Sequence, residues 1–395
     1  MTFTHTITNK ILSDCKNNLD KYDSLFQKNK ELGERFYTQL KSDSESKVVS
    51  WTWATGQMFS PEPFYFQEHR YKQGEWLDNQ PDDIEDFYCY GLDLNNRIII
   101  ERRGFNYFGN KDREPVYYET FYHYNLLNQV IQSFYFSYDT KTHPTNHYFF
   151  EYENDKLIYV YRMFNQSKNN KLAHYAVEND LYIAKYELNI STKSLINSNH
   201  IIYLYGENKQ LDKIERVYEN MTQLIYKTPT NEIDINAVKA WLINHIQTLI
   251  EKNKPRDKIY SFFLYYGSED ILPPYLYYGY QFYRDEMSRM DEFNFCYVWH
   301  PAEFPEEFEL PYLSDVSIPE NVFLFLQESQ HEDQEKLLCE VAIEIKTWLT
   351  QNYESLLTDD FSVVLTHFEL HTFNPFFKLI NPERYETLKY QFENF

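Results

Sequence analysis

The sequence predicts an α+β fold, in which N-terminal helices pack on a large antiparallel β-meander sheet and a C-terminal α+β sandwich domain follows. Aromatic residues make up 19% of the 395 residues, and aromatic side chains favour the half-buried surface of a sheet. Strand-like segments joined by polar turns fill residues 87–228. Residues 231–395 hold 29 acidic and 12 basic residues, a net charge of −17, whereas residues 1–230 hold 31 and 26. These changes predict a helical cap (1–46), an aromatic-rich antiparallel β-sheet domain (47–230) and an acidic α+β domain (231–395).

Residues 9–41 are predicted to be helical, because apolar side chains recur at three- and four-residue steps. The first of them are Ile11, Leu12, Cys15, Leu19, Tyr22, Leu25 and Phe26. The alternating segment VVSWTWA then predicts a strand, and PEPFYFQEHRY (61–71) is interpreted as a second one. Its two prolines favour the entry or the edge of a sheet over its centre.

The segment from Phe87 onward repeats one pattern: an aromatic residue, a turn containing Asn or Asp, and an apolar pair. The five copies begin at Tyr90, Tyr124, Tyr152, Tyr175 and Tyr205. Their spacings of 34, 28, 23 and 30 residues are too irregular for a solenoid. Because Asn and Asp tolerate left-handed backbone angles, the pattern predicts a series of β-hairpins.

These copies resemble the tyrosine-and-turn repeats of the Rhs/YD family and of related bacterial β-sheet antitoxins, over about 140 residues. The family's glycine after the turn acid is absent, with Arg97, Gln129 and Lys156 near the equivalent positions. Rhs repeats enclose a toxin with many more copies than five, so we expect a broad open sheet here. The resemblance implies a role in toxin neutralisation.

The C-terminal domain is predicted to begin with a helix over about 235–252, with Asp234 as its N-cap. Strands are predicted at 258–266, 274–282, 293–300 and 361–371, and a second long helix at 335–357. Helices combined with several strands predict an α+β sandwich. The order of these elements also resembles that of small bacterial domains found beside toxin–immunity genes.

Composition excludes several function classes. The net charge of −22 opposes direct binding to nucleic-acid phosphates. We expect a cytoplasmic protein without a membrane contact, because neither a signal-peptide pattern nor an 18-residue apolar run is present. The four widely separated cysteines predict free thiols in a reducing compartment.

No sequence motif indicates a catalytic, metal or cofactor site. The pairs His143/His147 and His367/His371 have the four-residue spacing of helical metal ligands. However, the first pair encloses a proline, and the second lies in a predicted strand, where this spacing separates side chains by roughly 13 Å. We therefore favour a binding protein over an enzyme and expect no cofactor.

Residues 285–335 are the predicted binding surface, because this segment contains 14 acidic residues and a single base, Arg289. Aromatic anchors inside an acidic rim suit a complex with a basic protein. The predicted partner-binding residues are Asp291, Glu292, Trp299, Glu303, Phe304, Glu306, Glu307, Phe308, Glu309 and Tyr312. The sequence thus predicts an immunity or antitoxin protein that occludes a cognate toxin, such as a basic nuclease domain. The alternatives are an enzyme of unrecognised class and a carbohydrate-binding β-sheet module.

Overall fold

The chain folds into two compact units, Met1–Thr228 and Pro229–Phe395. The computed structural model describes residues 3–105, 116–165, 169–192, 194–218, 221–229, 233–267, 272–289, 296–311, 318–367 and 376–393. The described part has helices, a large antiparallel sheet and a smaller second sheet, so the α+β class is confirmed.

The first unit combines helices near its N-terminus with a long succession of strands. Its helices are α1 (Phe3–Leu32), α2 (Glu34–Glu45) and α3 (Tyr65–His69). Its strands are β1 (Ser50–Ala54), β2 (Trp76–Leu77), β3 (Tyr88–Leu92), β4 (Ile98–Phe105), β5 (Val116–Tyr124), β6 (Val130–Phe136), β7 (Asn146–Glu153), β8 (Lys156–Phe164), β9 (Lys171–Glu178), β10 (Leu181–Asn189), β11 (Ser194–Tyr205), β12 (Leu211–Val217) and β13 (Thr222–Lys227).

These strands form one thirteen-stranded antiparallel sheet within the described residues. From β3 to β13 every strand pairs with its neighbours in the chain, and β1 lies between β2 and β3. Across β3, β4 and β5, Tyr90 lies opposite Glu101, which lies opposite Thr120. Because opposite residues share a face, this register sets which side chains meet above and below the sheet.

The repeated Asn and Asp residues close the hairpins as predicted. Asn154–Asp155 and Asn179–Asp180 have positive φ angles of 47° and 64°, and of 50° and 65°, as a two-residue type I′ turn requires. Asn96, Asn128 and Lys209 have single positive φ angles at longer turns. Consecutive turns are also joined, since Arg97 donates to Asn128 at 3.0 Å and Gln129 donates to Asp155 at 3.0 Å.

Helices α1 and α2 cover one face of this sheet. Tyr22 of α1 stacks on Phe149 of β7 with ring centroids 4.1 Å apart, and its hydroxyl donates to Glu151 at 2.8 Å. Phe36 of α2 packs edge-on against Phe134 of β6 at 5.4 Å. An apolar stripe on each helix thereby removes aromatic side chains of the sheet from water.

The opposite face is covered by the segment that precedes β3. The prediction of a strand in 61–71 is wrong, because Tyr65–His69 is helix α3. Phe64 packs on Tyr203 at 5.1 Å, and Arg70 donates to the carbonyls of Leu224 and Ile225 in β13 at 3.2 and 3.0 Å. The aromatic residues of this segment therefore pack down onto the sheet instead of pairing at its edge.

His147 lies in the core beneath the helices with both ring nitrogens lacking a hydrogen-bond partner among the described residues. Its ring lies 4.1 Å from that of Phe134 and 3.9 Å from that of Phe149. Burial lowers the pKa of His147 well below 6.5, and His123 adds to the effect. The imidazole is therefore neutral in the folded protein.

Replacing His147 with phenylalanine is expected to reduce the decrease in unfolding free energy that occurs as the pH falls. Because the folded state resists protonation, the unfolded state binds the proton below pH 6.5, and stability falls as pH falls. The unfolding free energy of H147F minus that of the wild type should therefore rise by about 2 kcal/mol when the pH is lowered from 7.5 to 5. Urea unfolding of both proteins at the two pH values measures this, and parallel pH dependences would contradict it.

The second unit contains a three-stranded sheet flanked by helices. Its strands are β14 (Ile259–Tyr266), β15 (Tyr275–Tyr280) and β16 (Leu357–His367), and its helices are α4 (Ile235–Lys252), α5 (Gln281–Met287), α6 (Cys296–Trp299), α7 (Glu320–Glu328), α8 (His331–Tyr353), α9 (Phe377–Ile380) and α10 (Pro382–Glu393). Strand β14 is central, antiparallel to β15 and parallel to β16. A parallel pair needs a long crossover connection, and here that connection includes α7 and α8.

The start of α4 confirms the predicted cap, since Asp234 accepts hydrogen bonds from the backbone amides of Asn236 and Ala237 at 3.0 and 3.2 Å. The predicted strand at 293–300 is wrong where it can be compared, because Cys296–Trp299 is helical. None of the described helices has the length and apolar character that crossing a bilayer requires.

Candidate functional site

The predicted binding segment follows the edge of the second sheet over residues 296–311. After α6, 3₁₀ turns form at Pro301–Glu303 and Glu306–Phe308. The segment is then fixed to β15, because the Leu310 amide donates to the Leu276 carbonyl at 2.8 Å. It is therefore anchored by backbone hydrogen bonds as well as by its side chains.

Trp299, Phe304 and Phe308 are not exposed anchors, which corrects the predicted aromatic part of the surface. They are 8%, 8% and 1% exposed. Phe304 packs edge-on against Phe263 at 5.2 Å, and Phe308 against Tyr280 at 4.9 Å. These rings belong to the apolar core of the second unit. Their burial removes apolar surface from water and so stabilises the fold.

The carboxylates of the same segment face outward. Glu303, Glu306 and Glu307 are exposed, while Glu309 is half-buried and accepts a hydrogen bond from the Tyr277 hydroxyl at 3.1 Å. Arg256 lies 3.5 Å from Glu307 in an exposed pair. Such exposed pairs contribute about 0–1 kcal/mol to stability, and the carboxylates of Glu303 and Glu306 are also exposed to solvent.

The three other predicted residues, Asp291, Glu292 and Tyr312, lie outside the described residues. What is established is therefore the arrangement from Trp299 to Glu309. There the sequence alternates core aromatics with surface acids. We call the exposed carboxylates of Glu303, Glu306 and Glu307 the acidic ridge.

The histidines and cysteines of the described residues are among the side chains that a metal or nucleophile site would need. They contain no group of three or more His, Cys, Asp or Glu side chains placed to hold a metal ion. His143 accepts or donates hydrogen bonds with Thr142 at 2.9 Å and Asn165 at 2.7 Å, while His147 points into the core. Burial raises the pKa of the Cys89 and Cys339 thiols to about 11, which opposes the thiolate that a nucleophile needs.

Sequence reasoning missed a buried charge network in the first unit, between the covering segment and the sheet. Lys185 of β10 contacts Glu68 of α3 at 2.7 Å and Glu187 at 3.4 Å. Arg162 of β8 contacts Glu62 at 2.5 Å and Glu187 at 2.7 Å. Two tyrosine hydroxyl groups also donate hydrogen bonds to these carboxylates, Tyr175 to Glu62 at 2.5 Å and Tyr203 to Glu68.

The network keeps its charges despite burial. Burial alone would raise the pKa of Glu62, but Arg162 and Lys185 outweigh it and the pKa is lowered. Burial would lower the pKa of Lys185, but Glu68 and Glu62 outweigh it and the pKa is raised. Three carboxylates thus lie in direct contact with two cations, and Lys171 adds a further positive charge that lowers the pKa of Glu187.

Two signals in the sequence could have pointed to this network. Arg162 and Lys185 each stand inside an otherwise apolar and aromatic stretch of a strand, LIYVYRMF and LYIAKY. Charged side chains at such positions are rarely buried unless they are paired. No family model matches the chain, and no curated protein sequence matches it at a significant level.

Proposed function

We propose that this chain is a cytoplasmic binding protein of the immunity or antitoxin type, whose acidic ridge engages a basic protein such as a nuclease toxin. The observation that supports it most is the exposure of Glu303, Glu306 and Glu307 on a segment anchored by buried aromatics. In this proposal the meander sheet with its helices is a scaffold, and the second unit, an α+β sandwich, supplies the binding surface. The mechanism is occlusion, which needs no catalytic residue.

Charge supports this choice of partner. The second unit has a net charge of −17, and complementary charge accelerates association while suppressing wrong partners. A nuclease toxin builds its site to hold phosphate, so it offers the basic surface that a row of carboxylates can mimic. Buried Phe304 and Phe308 lie between the acids and restrain the backbone that carries them. The ridge can therefore bind with less ordering of its own chain than a free loop would need.

The direct test is genetic and biochemical. The gene beside the one that encodes this chain should encode a toxin, whose expression alone should stop growth and whose co-expression with this chain should restore it. The purified pair should form a complex. A neighbouring product that is not toxic, or a toxin that is not neutralised, would refute the proposal.

Reversing the ridge charges by the triple substitution Glu303→Lys, Glu306→Lys and Glu307→Lys should weaken that complex about 10- to 1000-fold at physiological salt. The loss should arise mainly from slower association and should shrink at high salt, because screening removes the attraction in the wild type. Association and dissociation rates measured at several salt concentrations give both quantities.

The matched control reverses three other exposed acids of the same unit, Glu251, Glu354 and Glu386. It changes the net charge of the unit equally, so it separates the ridge from overall charge. The control should retain most of the affinity. If both triple variants bind equally well, the ridge is not the contact surface.

A further inference from the structure

A cavity of about 440 Å³ lies on the sheet face that the covering segment overlies in the first unit. Its floor is formed by β3 to β7, and its roof by residues between Gln57 and Tyr65. Tyrosines dominate its walls, with Tyr88, Tyr118, Tyr122, Tyr135 and Tyr148 contributed by different positions of the floor. Pockets of this size bind small molecules.

One wall residue, Glu101, is a buried carboxyl group without a cationic partner among the described residues. It is 8% exposed, and its hydrogen bond comes from the Tyr122 hydroxyl at 3.3 Å. The two bases that follow it on its strand have other partners, since Arg102 pairs with Glu119 at 2.9 Å and Arg103 with Asp86 at 2.5 Å. Buried carboxylates are normally paired with a cation, so Glu101 is the group of this cavity that a cationic ligand would complement.

The charges around the cavity are also out of balance. Glu62 lines the cavity and belongs to the buried network, in which three carboxylates share Arg162 and Lys185. The Arg103–Asp86 pair is neutral overall. With Glu101 ionised, the cavity therefore carries a negative charge that has no cationic partner among the described residues, and an added cation would supply one.

We propose that this cavity is a binding site for a small organic ammonium ion, with Glu101 as the counter-ion and the tyrosine rings as the walls. Aromatic faces attract an ammonium ion through their negative quadrupole. A carboxylate at the base of such a cage supplies the opposite charge in a medium of low dielectric constant, where the attraction is strong. A neutral sugar could bond to the polar lining residues Gln57, Ser133 and Asn146 but would leave the carboxylate uncompensated.

The site should respond to pH through Glu101. Burial raises the pKa of Glu101 from 4.5 to about 8, because it outweighs the hydrogen bond from Tyr122, which acts to lower the pKa. Its neighbours are Glu62 and Tyr65 from the roof, Tyr88 and Tyr90 from β3, Tyr122 from β5, and Arg103 of β4.

None of these neighbours is expected to change charge between pH 6 and pH 9. Burial raises the pKa of each of the four tyrosines above 10. Arg162 and Lys185 outweigh the burial of Glu62 and lower its pKa, and the hydrogen bond with Asp86 raises the pKa of Arg103 further above its usual range. Glu101 alone should therefore lose its proton in this range.

Choline is the probe, because its charge does not depend on pH. Calorimetric titration of the full chain should show choline binding up to about 100-fold tighter at pH 9 than at pH 6, since an ionised carboxylate is needed. The variant E101Q should bind choline at least 10-fold more weakly than the wild type at pH 9, and equally at pH 6. The amide has the shape of the carboxyl group and removes a buried charge, so the variant should fold.

The uncharged isostere of choline, 3,3-dimethylbutan-1-ol, is the matched control. It should bind at least 10-fold more weakly than choline at pH 9 and without pH dependence. Failure of choline to bind at pH 9, equal binding by E101Q, or equal binding of the isostere would each overturn the proposal. Binding of a neutral sugar that survives E101Q would do so as well, because it would make the cavity a carbohydrate site.

Discussion

Replacing Lys185 with methionine is expected to lower the unfolding free energy of the first unit by about 3–5 kcal/mol. Lys185 is 2% exposed. Its ammonium group lies within 4 Å of Glu62, Glu68 and Glu187, at 3.7, 2.7 and 3.4 Å. Methionine keeps most of the length of the side chain but removes the cation that contacts Glu68, while Arg162 still contacts Glu62 and Glu187. The loss therefore reflects uncompensated buried charge rather than lost packing.

The exposed pair Arg103–Asp86 is the matched control. Its side chains are 48% and 72% exposed, so R103M should change stability by less than about 1 kcal/mol. Denaturant unfolding of both variants, followed by circular dichroism, measures the difference. Equal effects would show that the buried network contributes no more than a surface pair.

The pH dependence of the same experiment gives a second check. Because the pKa of Lys185 is raised in the folded state, its contribution is complete below about pH 10.5 and is lost as pH rises further. Because the pKa of Glu62 is lowered, its contribution is present above about pH 4.5 and is lost as pH falls. The cost of K185M should therefore be greatest between these limits.

Replacing Gly104 with alanine is expected to cost about 3 kcal/mol or more, because the new methyl group meets the backbone. A Cβ atom at Gly104 would lie 2.1 Å from the carbonyl oxygen of Ile84 and 2.9 Å from its carbon. The segment from Ile84 to Phe87 cannot easily move away, because two backbone hydrogen bonds hold it against Gly104. The Gly104 amide donates to the Phe87 carbonyl at 3.0 Å, and the Asp86 amide donates to the Gly104 carbonyl at 3.3 Å. Thermal unfolding of G104A measures the cost.

Gly206 provides the comparison. A Cβ atom there would lie no closer than 3.6 Å to a neighbour, the side-chain oxygen of Asn208. G206A should therefore change stability by less than about 0.5 kcal/mol, or raise it slightly by restricting the unfolded chain. A large loss in G206A, or none in G104A, would show that the close approach does not govern the effect.

Local chemistry explains which parts of the fold could be predicted from the sequence. The hairpin turns and the cap at Asp234 depend on residues a few positions apart, so Asn154–Asp155 and Asn179–Asp180 could be recognised directly. The segment FNFCYVWH could not, because short apolar runs do not distinguish strand from helix. In the fold Trp299 lies in a helical turn that packs on Tyr260 at 5.5 Å, a contact between residues distant in the chain.

Only the charged part of the acidic ridge segment can be predicted from local sequence. The outward carboxylates of Glu303, Glu306 and Glu307 follow from charge and were anticipated, whereas the burial of Phe304 and Phe308 depends on β14, β15 and α5. The cavity at Glu101 was missed entirely. Its roof and floor come from segments that only the fold brings together, and no local spacing joins Glu62 to Tyr148.

The hydrogen bonds of Arg70 to β13 have a consequence for solubility. An open sheet ends in strands whose unpaired backbone groups can recruit another chain and start aggregation. At one border of the thirteen-stranded sheet, the guanidinium group of Arg70 already occupies the carbonyls of Leu224 and Ile225. At the other, β2 is only two residues long, Trp76–Leu77. Within the described residues, the wide aromatic sheet thus ends in one strand that has two carbonyls occupied and one strand of two residues, both of which reduce the backbone groups open to another chain.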